Sequence, residues 1–174
     1  MDAKTNHPML PLALQGFGDA HSRHRDLRLT SDPASLFVSA AECVYWAATI
    51  HEQLRWWPEY AEFTADHVLG SLLPGVRYVR NLKTHSLPMT MQSVEGLMFP
   101  IVFPKVFSEV VWLPLDRLPE PNRTTKFTQM QAESYAQQMA GVPTRHTFQR
   151  LADGFTELRG LEGSPLGVAS SRTV

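Results

Sequence analysis

The stretch Asp32-Pro33-Ala34-Ser35-Leu36-Phe37-Val38-Ser39-Ala40-Ala41-Glu42-Cys43-Val44-Tyr45-Trp46-Ala47-Ala48 decides the fold class. Asp32 is an N-cap residue, and a proline at the first helical position is already fixed at a helical φ. Leu36, Phe37, Ala40, Val44, Ala47, Ala48, Ile50 and Leu54 then recur at helical spacing. Ala40, Ala47 and Ala48 leave that face flat enough for another helix to pack closely. Trp56-Trp57-Pro58 ends the helix.

Working outward, a second helical stretch begins near Glu59. Glu59, Glu62 and Asp66 occupy its first turns, where the helix dipole favours negative charge. Phe63, Leu69, Leu72, Leu73, Val76, Val79 and Leu82 form its stripe. Pro74-Gly75 predicts either a kink or a tight corner between two helices. Helical character continues over Val76–His85 and stops before Pro88. Pro88, Pro100, Pro104, Pro114, Pro119 and Pro121 exclude a helix over 88–123. Phe99–Phe103 and Val110–Leu113 are β-rich and suit a short hairpin or extended strands. Helices return over about Thr128–Ala140, closed by Gly141, and over about Thr144–Leu158, with Phe148, Leu151, Phe155 and Leu158 on one face.

The expected architecture is therefore mainly α, with four or five helices and a proline-rich extended or β-hairpin excursion. Residues 1–30 read as a flexible N-terminal arm, locally basic at His21-Ser-Arg-His-Arg-Asp-Leu-Arg28. Residues 31–159 read as one helical domain, and the Gly/Ser-rich 160–174 as a disordered tail.

Composition narrows the function classes. The chain has 174 residues, 43% of them hydrophobic and 19% charged, which suits a packed core. Sixteen basic residues oppose seventeen acidic ones, for a net charge of −1, so any nucleic-acid contact must come from a local cluster. The single cysteine, Cys43, excludes an intramolecular disulfide framework and fits a reducing compartment. The most apolar run, Gly96–Pro104, is short and broken by prolines, so no membrane span is expected. The expected location is the cytoplasm.

One segment concentrates positive charge: Arg77-Tyr-Val-Arg80-Asn81-Leu-Lys83-Thr-His85 has three cations, a histidine and no acid. At about 100° per residue, Arg80 follows Leu73 and Val76 onto the apolar stripe. An arginine there must meet an acid, such as Glu42 or Glu59, snorkel to water, or face a cleft that takes an anion. On a continuous helix His85 lies roughly 140° round from Arg80. His51-Glu52 lacks a second histidine at metalloprotease spacing and reads as ordinary surface or packing. His21-Ser-Arg-His24 reads as part of the flexible arm, with metal or nucleic-acid binding as the alternative. No phosphate-cradling glycine loop or nucleophile elbow is present.

Arg80-Asn81-Leu82-Lys83-Thr84-His85 resembles the Arg-polar-x3-His signature of the HEPN superfamily, small helical bundles that are often dimeric. Many are metal-independent ribonucleases of toxin–antitoxin and phage-defence systems. The resemblance covers six residues and a helical context of about 35–86. It implies a metal- and cofactor-free endoribonuclease, with RNA, an antitoxin protein and a second copy of the chain as partners. It implies His85 as the proton-transfer residue, Arg80 as the phosphate clamp and Asn81 as the orienting group. Those roles suit imidazole, which titrates near neutrality, and the guanidinium fork. Charge alone adds Arg77 and Lys83 as backbone-phosphate contacts. A non-catalytic module binding RNA, a nucleotide or a protein is the alternative.

Overall fold

Asp32 caps the central helix as its sequence demands. Its carboxylate accepts the Ser35 N–H at 3.2 Å, and Pro33 opens the helix. The computed structural model describes residues 9–28, 32–82, 90–95, 108–119 and 126–167. Their helices are α1 (Met9–Leu27), α2 (Pro33–Leu54), α3 (Pro58–Asp66), α4 (Val68–Asn81), α5 (Lys126–Gln138) and α6 (Thr144–Gly160). Two strands, β1 (Met91–Glu95) and β2 (Ser108–Trp112), pair antiparallel between α4 and α5. The chain is mainly helical, with six helices among the described residues rather than four or five.

The added helix is α1, which replaces most of the expected arm. Leu10, Ala13, Phe17, Ala20 and His24 recur every three or four residues and are all buried. Two alanines and a histidine make a weak apolar stripe, so the pattern reads as polar although it packs along its length on α2. Phe17 also meets Phe155 of α6 edge-on, ring centroids 5.3 Å apart. At the other end, Leu166 returns to the core at 5% exposure, so the described part of the expected tail is folded back.

α2 is the centre of the molecule. Its buried face runs from Leu36 to Leu54 and touches α1, α4, α6 and β2. The corner expected at Pro74-Gly75 falls earlier, at His67. There the backbone is extended (φ −100°, ψ 150°), and the His67 Nδ1 accepts the Leu69 N–H at 3.1 Å, capping α4. Pro74 is carried inside α4 at the loss of one helical hydrogen bond. α4 also ends sooner than expected. Leu82 has φ −68° and ψ 91°, so helical dihedrals stop at Asn81, before His85.

The hairpin uses a different first strand from the one expected. Met91 is opposite Trp112 and Glu95 opposite Ser108. The apolar Phe99–Phe103 lies outside the described residues. β2 ties the sheet to the helices: Trp112 N–H donates to Val142 C=O at 3.1 Å, and Gly141 N–H donates to Trp112 C=O at 2.9 Å. Gly141 has φ +73°, a left-handed turn that glycine makes without a Cβ clash. The Trp112 indole N–H donates to Thr147 Oγ1 at 2.9 Å, which anchors the first turn of α6.

Candidate functional site

Arg77 and Arg80 lie three residues apart on α4 and therefore share a face. Both reach the same carboxylate, Glu52 in the last turn of α2. Arg80 pairs with Glu52 directly, and the Arg77 guanidinium lies 3.9 Å from it. Neither expected partner is used, and Glu42 pairs with Arg23 instead. Arg55 contributes a third positive charge near Arg77. Burial lowers the Arg77 pKa from its usual value, and Glu52 partly restores it.

His51, next to Glu52, belongs to the same neighbourhood. Its Nδ1 is 2.7 Å from the Tyr60 hydroxyl. Burial, with added repulsion from Arg77 and Arg55, lowers its pKa to about 4. The imidazole is therefore neutral at neutral pH. Burial raises the Tyr60 phenol, so Tyr60 keeps its proton and donates it to His51 Nδ1. A histidine so occupied and so weakly basic is a poor proton acceptor for catalysis. Its value is to hold α3 against α2 beside the arginines.

The structure thus brings together Arg77 and Arg80 of the expected site and adds Glu52, His51 and Arg55. Asn81 is exposed as the last residue of α4. Lys83 and His85 lie outside the described residues. The expected geometry placed Arg80 and His85 on one continuous helix, whereas the described helix stops at Asn81. Among the described residues no group of three His, Cys, Asp or Glu side chains is placed to hold a metal. No described helix is long and apolar enough to cross a membrane.

Sequence reading passed over Glu52 because its partners are 25 and 28 residues away, on another helix. It also passed over His24, which is 1% exposed. The His24 Nδ1 is 2.9 Å from Ser39 Oγ, and its Nε2 is 3.0 Å from Thr144 Oγ1. The signal for this residue was present in the 10, 13, 17, 20, 24 spacing, which places His24 on the buried side of a helix. No family model, curated protein or solved structure matches this chain, so what the site can do rests on its own geometry.

Proposed function

We propose that the end of α4 is a phosphate-binding surface whose ligand is RNA. The observation that carries this reading is the meeting of Arg77 and Arg80 at the carboxylate of Glu52, with Arg55 adding positive charge near Arg77. Among the described ion pairs two guanidinium groups share one acid near the end of α4, where Asn81 is exposed. Glu52 and Arg80 are partly exposed, at 39% and 32%. An ion pair of that kind is worth about 0–1 kcal/mol. A phosphate oxygen accepting from the guanidinium fork therefore competes with it on even terms.

The resemblance at Arg80–His85 extends the proposal to chemistry, within a HEPN-like helical bundle. His85 would take the proton of the RNA 2′-hydroxyl as that oxygen attacks the adjacent phosphorus. Arg80 would stabilise the added phosphorane charge. The 5′-oxygen leaves with a proton, and a 2′,3′-cyclic phosphate remains. Asn81 would orient the sugar–phosphate, and Arg77 and Lys83 would hold flanking phosphates. In this reading the protein is a toxin- or defence-type endoribonuclease acting as a homodimer, with an antitoxin partner.

One observation favours the non-catalytic alternative. Arg80 is already engaged by Glu52 within the chain, which suits a binding surface better than an unoccupied transition-state clamp.

The deciding experiment incubates the full chain with labelled single-stranded RNA in excess EDTA. Binding should weaken steeply with salt. Arg80→Ala should weaken it by about ten- to a hundredfold, the range for a lost charge-assisted hydrogen bond. Salt-independent binding, or binding unchanged in Arg80→Ala, overturns the surface. Cleavage that leaves cyclic phosphate ends and vanishes in His85→Ala establishes the ribonuclease. Binding without cleavage assigns the non-catalytic module.

A further inference from the structure

A second basic region lies between the first and last helices. The C-terminal end of α1 and the first turns of α6 wall a cleft of about 160 Å³. His21, Arg25 and Arg28 line it from one side and Arg145, His146 and Gln149 from the other. None of the lining residues is acidic. Gln149 donates to Asp153 at 2.8 Å, at the margin.

The cleft is built on fixed parts. Its floor is the buried His24. Thr144 Oγ–H donates to Val110 C=O at 3.1 Å, so its oxygen is available to accept from His24 Nε2–H. Nδ1 lies 2.9 Å from Ser39 Oγ, whose own proton goes to the Leu36 C=O at 3.0 Å. Burial depresses the His24 pKa to about 4, so the floor is neutral at neutral pH and the charge comes from the walls. There the carboxylate of Glu109 on β2, 16% exposed, accepts from Arg145 Nε at 2.9 Å and lies 3.4 Å from Arg28 Nη2. Two guanidinium groups thus share one acid. Arg28 Nε is buried and makes no hydrogen bond to the described residues. Arg25 has Asp26 at 3.8 Å, but both are mostly exposed, so that pairing is weak. The N-terminus of α6 adds its dipole, and Pro143 at its N-cap supplies no side-chain cap.

These features select a ligand class. Guanidinium forks and the positive end of a helix match phosphate oxygens. The volume falls below the roughly 300–1,000 Å³ of pockets that enclose a whole drug-sized ligand. It suits a charged headgroup whose remainder extends into solvent. We propose that this cleft binds a phosphate monoester, holding its terminal phosphate between Arg28, Arg145 and Arg25 in competition with Glu109. The site is separate from the α4 surface and does not depend on that surface's reading.

The test is calorimetric titration of the full chain at low ionic strength with inorganic phosphate, with AMP and with adenosine. Phosphate and AMP should bind saturably, and adenosine should not. Arg145→Gln should weaken phosphate by about ten- to a hundredfold. Arg159→Gln, at the far end of α6, should leave it unchanged. Removing the competing carboxylate in Glu109→Gln should make phosphate raise the melting temperature more than it does in the wild type. Far-UV circular dichroism checks that each variant folds. The site is overturned by non-saturable phosphate binding to the wild type. Equal affinity in Arg145→Gln, equal loss in Arg159→Gln, or an equal melting shift in Glu109→Gln also overturns it.

Discussion

Two histidines show what burial does to a titratable residue in this chain. His24 and His51 are both held neutral, with pKa values near 4, chiefly because burial disfavours their charged form. In the unfolded chain each takes up a proton near its ordinary value of about 6.5. Between those values the unfolded state binds more protons than the folded one. Stability is therefore complete above pH 6.5 and is lost progressively as pH falls toward 4. Each histidine contributes at most about 3 kcal/mol of that loss. Urea unfolding midpoints should fall between about pH 7 and about pH 4.5, and His51→Gln should flatten the slope. Equal midpoints at the two pH values would show that these rings are not buried as described.

At the scale of elements, the α3–α4 corner depends on a missing side chain. A Cβ at Gly70 would stand 1.9 Å from the Thr64 carbonyl oxygen, a backbone atom that cannot swing aside. Alanine favours a helix over glycine by about 1 kcal/mol. Overpacking against backbone costs about 1–3 kcal/mol. Gly70→Ala should thus lower stability despite the better propensity, as thermal unfolding would show. A raised melting temperature would mean that the corner yields.

This corner also shows where the sequence was legible. Asp32-Pro33, Gly141 and the Phe148–Leu158 stripe announced their helix boundaries and faces, because capping and periodicity act over a few residues. The corner at His67 was hidden, since Pro74 is the stronger local breaker and tertiary packing overrides it. The strand Met91-Gln-Ser-Val-Glu95 was hidden too. It has little apolar content of its own, and its place follows from pairing with β2, Met91 opposite Trp112. In the candidate site, the charge of Arg77 and Arg80 could be read directly. Their common partner Glu52 could not, because only the packing of α2 on α4 brings it there.

For the whole molecule, α1 is structural. It supplies Leu10, Ala13, Phe17 and Ala20 to the core shared with α2 and α6. Deleting residues 1–28 should abolish cooperative unfolding and expose apolar surface, seen as dye binding and loss of a sharp thermal transition. A truncated chain that melts as sharply as the full one would return this region to the status of an arm.

The contacts of His24 also set an order of events. They join positions 15 and 120 residues apart in the chain. Contacts so distant in sequence form only after the intervening chain has been brought together, and they slow folding. Closing the first helix against the last should therefore come late, and a low φ-value for Thr144→Ala would show it. That same step creates the phosphate cleft, because its two walls belong to those two helices. A partly folded chain with α1 detached lacks one wall of the cleft and the burial that lowers the His24 pKa. The pKa of that one ring is thus a spectroscopic clock for completion of the fold.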